Sequence, residues 1–207
     1  MTAAVHPSAD HTELRHVLRS GAQLGIIQSV LIAAFGLIQP RLDGMMELLV
    51  CGAILVVGVA ITIALPGLWT KARTIEGIAA AAGAGLFATA VFLVIDVSVL
   101  QRVGVYTNRW LEIGGGSNWW YHPVWWMVGT YLPWLGAWVL ANQTAKSGAA
   151  NPTALVVGTL VLAGLIMAAA TLVEFPGAGF GLGPFGVAVL PALAVMVLAT
   201  LLGARRA

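Results

Sequence analysis

Asp96 carries the clearest chemical potential in this sequence. It lies inside an apolar run, residues 85–100, that reads as a membrane-spanning helix. A carboxylate in such a segment is costly to insert, so a partner or a function is expected for it. Three roles fit. It could form an ion pair with Arg102 or Arg109 just beyond the run, serve as a protonatable or cation-binding group on a solute path, or contact a partner subunit. Glu174, beside Phe175-Pro176-Gly177, is a second carboxylate, at a helix end where a solvated terminus is the plain reading. Glu112 and His122 complete the titratable set. His122 with carboxylates drawn from Asp96, Glu112 and Glu174 is a conceivable non-haem metal set. No short His/Glu spacing supports it, so no metal site is assigned. His6, His11 and His16 lie in the N-terminal tail, which leaves His122 alone in the apolar region and argues against a bis-histidine haem.

An aromatic run surrounds these groups. Seven of the eight tryptophans fall between Trp110 and Trp138, centred on Asn118-Trp119-Trp120-Tyr121-His122-Pro123-Val124-Trp125-Trp126. Tryptophan and tyrosine favour the headgroup level, and an interfacial belt accounts for Trp110, Trp119 and Trp120. Trp134 lies about three turns into the fourth apolar segment, nearer the bilayer middle. It shares a face with Trp138, four residues on. Trp125 and Trp126 sit one turn beyond His122. Aromatic rings with a carboxylate suit an organic cation, so Tyr121, Trp125, Trp126 and Trp134 join Asp96, Glu174, His122, Glu112, Arg102 and Arg109 as candidate ligand-binding residues.

These groups must be held by helices. Spanning a bilayer takes about 20 mostly apolar residues, and six segments qualify: roughly 21–39, 46–68, 76–100, 122–142, 152–174 and 182–203. Turn signals separate them, including Gln39-Pro40-Arg41, Pro66-Gly67 and Asn151-Pro152. The sequence predicts an all-α, multi-pass bundle of six transmembrane helices over 21–203. A polar cytoplasmic tail (1–20) precedes it and a short cytoplasmic tail (204–207) follows. With the N-terminus inside, Arg15, Arg19, Lys71, Arg73, Lys146, Arg205 and Arg206 are cytoplasmic, against Arg41, Arg102 and Arg109 outside. This is the asymmetry that orients membrane proteins. Asp96, Glu174, His122 and the 101–121 segment then share the outer side.

Smaller features are read as packing. Gln28 is placed to make an interhelical hydrogen bond, and Ala80, Ala84 and Ala88 form a small-residue stripe for close helix approach. Gly177, Gly179, Gly181 and Gly183 alternate but follow no strand, so a dinucleotide-binding turn fails its context. Gly114-Gly115-Gly116-Ser117 does not complete a nucleophile turn.

Composition sets the solvent. The 207 residues are 59% hydrophobic and 9% charged, whereas soluble domains carry about 25% charged residues. The lipid bilayer is therefore the expected partner, in a cell membrane. The longest basic run is Arg205-Arg206, which excludes a nucleic-acid surface. A lone Cys51 excludes an intrachain disulfide. Three functions remain. The first is an outward-facing polar and aromatic site that binds or transports a small solute or cation. The second is a membrane subunit whose partner is a second copy or another chain, or whose ligand is a small lipophile. The third is a membrane enzyme doing acid–base chemistry on a lipophilic substrate. The sequence leaves the cofactor open.

Overall fold

A computed structural model describes residues 10–106 and 121–204, with the side chains of residues 121–122 and 203–204 outside the description. It contains six long helices: α1 (Leu14–Ile38), α2 (Gly44–Trp69), α3 (Ile75–Ile95), α4 (Tyr121–Ser147), α5 (Pro152–Leu172) and α6 (Leu182–Ala204). A 3-10 turn, Gln39–Arg41, joins α1 to α2, and α3 runs on into a widened turn, Asp96–Leu100. No strand occurs among the described residues. Five of the helices, all but α4, are long and apolar enough to cross a membrane. Along α4, Asn142, Gln143, Thr144, Lys146 and four tryptophans dilute the hydropathy.

The helix boundaries fall within a few residues of those expected, with one exception. α1 begins at Leu14, well before its apolar run. Its first turns are two-faced: Val17 and Ser20 are buried, while Arg15 and Arg19 are exposed. A helix needs only one buried face, so a polar stretch continues the helix of the apolar run behind it.

The chain ahead of α1 is fastened to the α2–α3 turn. Asp10 Oδ2 accepts from the Arg73 N–H (3.2 Å), the Thr74 N–H (2.9 Å) and the Thr74 hydroxyl (2.7 Å). The His11 N–H donates to the Thr70 carbonyl at 2.7 Å, and His16 Nε2 lies 2.9 Å from the Trp69 carbonyl. Thr74 is itself the N-cap of α3, its hydroxyl accepting from the Gly77 N–H. The negative carboxylate thus sits where a helix start presents unpaired N–H groups and partial positive charge. A Cβ on Gly77 would collide with Asp10 Oδ2.

α1 and α3 pack most closely. A Cβ added to Gly21 would lie 2.6 Å from the Ala84 carbonyl oxygen, and one on Gly25 would lie 2.5 Å from that of Ala88. The expected alanine stripe on α3 therefore meets a small-xxx-small pair on α1. Gly85 of α3 is pressed in the same way against Gly129 and Pro133 of α4, and Gly136 of α4 against the Ile63 backbone of α2. The main core gathers Ile63, Leu140, Leu155, Val189 and Leu193 between α2, α4, α5 and α6. Below, the "clasp end" holds Asp10 and the α2–α3 and α4–α5 turns, and the "loop end" holds residues 39–44, 96–106 and 173–181.

Candidate functional site: an apolar cavity at the loop end

Between these packed seams lies a cavity of about 930 Å³, at the upper end of the range for small-molecule sites. α1 contributes Gln28, Leu31, Ile32, Phe35 and, just past its end, Gln39. α2 contributes a long face from Gly44 to Thr62, α3 supplies Thr89 and Phe92, and α4 supplies Val124 to Leu132. The start of α6, from Gly181 to Val189, closes the remaining side. Small residues create the space. A Cβ at Gly186 would find nothing within 4 Å, and one at Gly58 would meet only Leu31 Cδ1, at 3.8 Å.

The lining is apolar except at two levels. At the loop end, Gln39 Nε2 donates to Glu47 Oε1 at 3.0 Å. At the inner end, Gln28 Nε2 donates to Thr62 Oγ1 at 3.1 Å, the interhelical bond expected of Gln28. Gln28 and Gln39 are eleven residues apart, which at the helical rise is about 16 Å. Beyond the inner level, Leu24, Ile63, Leu140 and Leu193 are fully buried, so packed core forms the floor. At the rim, Leu48, Val124 and Val187 are exposed.

Of the candidate ligand-binding residues whose side chains are described, Trp125 alone lines the cavity, its ring 4.6 Å from that of Phe92 and tilted against it. Trp126 is exposed. Trp134 packs with Trp138 against Ala72, Ile78, Ala81, Ala137 and Ala141, at the α3–α4 seam. The two tryptophans share a face as the spacing of four requires, but that face is packing rather than cavity wall.

Asp96 is fully buried and lies outside the cavity lining. Its carboxylate accepts from Gln101 Nε2 at 2.6 Å and from the Tyr106 hydroxyl. Its carbonyl accepts from the Gln101 N–H at 2.9 Å, the five-residue step that widens the turn. The expected ion pair with Arg102 is not what holds it, because Arg102 is exposed and the recorded partners are Gln101 and Tyr106. Through them Asp96 fixes the start of the 101–106 segment, whose Val105 rests on Gly36 of α1.

Glu174 is exposed at the end of α5, with a left-handed backbone (φ 55°) that ends the helix. α5 packs chiefly on α6. Arg109 and Glu112 lie outside the described residues, as do the side chains of Tyr121 and His122. Among the described residues no three His, Cys, Asp or Glu side chains come together as a metal site.

No protein family, curated protein or solved structure matches the chain. The cavity is thus the feature from which function has to be read. Sequence reasoning missed Glu47, Thr62 and Gly186 as parts of it. Thr62 had a signal: apart from Cys51 it is the polar residue in the apolar stretch 48–65.

Proposed function

We propose that this chain is a six-span cell-membrane protein, with both termini in the cytoplasm, that binds an elongated lipophilic molecule in a cavity reached from the outer leaflet. The observation that carries this reading is the 930 Å³ apolar cavity, polar only at its mouth and its inner end. Its depth of about 16 Å matches half of a hydrocarbon core about 30 Å thick. A site one leaflet deep, lined by Leu, Ile, Val, Phe and Trp, offers little to a hydrated ion and much to a hydrocarbon chain. Lys/Arg asymmetry supports the orientation. In that orientation the loop end is outside, and the exposed rim residues Leu48 on α2 and Val187 on α6 flank a lateral opening to lipid. The solute-transport and acid–base readings rely on Asp96, Glu112, His122 and Glu174; of the two whose side chains are described, Asp96 is buried on Gln101 and Tyr106 and Glu174 is exposed past the end of α5.

Cavity filling tests the proposal. Gly186→Leu places a side chain where a Cβ has open space, and it replaces a poor helix former with a good one. Native mass spectrometry of the gently purified protein is expected to show a retained lipophile on the wild type, reduced at least about tenfold in Gly186→Leu. Equal retention in both, with the same melting temperature, would remove the cavity as the binding site.

A further inference from the structure

We infer that Gln28 and Thr62 form a hydrogen-bonding subsite at the inner end of the cavity for a neutral hydroxyl or carbonyl oxygen on the buried end of the ligand. This inference rests on the ligand-binding reading above and sharpens it from any hydrocarbon chain to one that carries oxygen at the end farthest from the mouth.

Hydroxyl bookkeeping sets Thr62 apart from the other buried threonines. Thr89, Thr130, Thr144, Thr159 and Thr171 each donate to the backbone carbonyl four residues earlier, the usual way a threonine satisfies itself in an apolar helix. Thr62 instead accepts from Gln28 Nε2, and its hydroxyl hydrogen meets no acceptor among the described residues. The amide oxygen of Gln28 likewise has no donor there. A donor and an acceptor therefore stand together on a wall that is otherwise apolar. Turning the Gln28 amide by half a rotation exchanges the roles and still leaves one of each open. Polar groups left open in an apolar setting are costly, and a ligand oxygen placed between them would remove that cost.

The subsite selects for neutral oxygen. Glu47 is the one charged residue among the described lining residues, and it lies fifteen residues along α2 from Thr62, about 22 Å away by helical rise. A buried ion at Gln28 would have no counter-charge, whereas a hydroxyl or carbonyl needs none. An ordinary lipid anchored by its headgroup at the mouth would present only a terminal methyl here. An elongated lipophile with oxygen at both ends satisfies Glu47–Gln39 and Gln28–Thr62 together.

A matched pair of probes separates the subsite from the cavity: an α,ω-alkanediol about 16 Å long and the primary alcohol of the same chain length. Both are titrated into the purified full-length protein in detergent. The readout is the ratio of diol to mono-alcohol affinity, compared between wild type and variants so that each probe's partition into micelles cancels. The ratio is expected to fall about three- to tenfold in Gln28→Leu and in Thr62→Val, the scale of one net hydrogen bond. Thr62→Ser, which keeps the hydroxyl, is expected to retain the wild-type ratio. An unchanged ratio in Gln28→Leu and Thr62→Val, with both probes still excluded by Gly186→Leu, would overturn the subsite and leave the cavity reading standing. Failure of the wild type to bind either probe, or indifference of both to Gly186→Leu, would overturn the cavity reading and the subsite with it.

Discussion

Asp96 shows how a carboxylate embedded in an apolar helix finds partners within its own neighbourhood. Gln101 and Tyr106 lie five and ten residues on, and the widened turn brings both to it. Removing the acceptor breaks both hydrogen bonds, each worth about 0.5–1.5 kcal/mol net. Asp96→Leu is therefore expected to lower the thermal midpoint in detergent, and Tyr106→Phe to lower it less, while neither changes mono-alcohol binding in the cavity. Loss of probe binding in Tyr106→Phe at an unchanged midpoint would instead give Asp96 a part in the site. The sequence made Asp96 conspicuous because rarity within an apolar run is visible in one dimension. What it could not show was the partner. Tyr106 and Gln101 look like ordinary loop residues, and Arg102 looked electrostatically better. Thr62 stood out in the same way within the apolar stretch 48–65, but its open hydroxyl did not, since a threonine in an apolar helix normally satisfies itself on its own backbone.

Among the helices, α3 depends on groups outside itself at both ends, on Asp10 at its start and Tyr106 past its finish. At the start, burial pushes the Asp10 carboxyl up, but the hydrogen bonds from Thr74 and Arg73, with the Arg73 charge, hold it below its usual value. A carboxylate whose folded-state pKa is depressed stabilises the protein above its unfolded pKa, and that contribution disappears as pH falls through the lower folded value. The thermal midpoint of the wild type should therefore drop as pH descends through and below the ordinary carboxylate range. In Asp10→Asn it should start lower and descend less steeply, as followed by tryptophan fluorescence. Parallel curves for the two proteins would show that the clasp contributes no such linkage. The helices themselves were readable, because about 20 apolar residues between Gly/Pro-rich breaks leave few alternatives in a bilayer. The clasp was not: its Asp10–Thr74 bond joins residues 64 apart, in a stretch that reads simply as a polar tail.

For the whole molecule, the testable question is which face looks outward. Cys51, the single cysteine, is buried, so labelling of introduced cysteines has little background. Pro176 and Ala149 are exposed at the loop and clasp ends respectively. In intact cells, a membrane-impermeant maleimide is expected to label Pro176→Cys and to reach Ala149→Cys only after permeabilisation. The reverse pattern would turn the cavity towards the cytoplasmic leaflet. The closed floor beneath Gln28 has a consequence for energetics. A pocket open to one monolayer and sealed from the other does no vectorial work, because ligand leaves by the face it entered. Its occupancy would follow the chemical potential of the ligand in that monolayer alone. In vesicles whose two leaflets differ in composition, the fraction of filled sites would then act as a one-sided gauge of lipid asymmetry, indifferent to what the opposite leaflet contains.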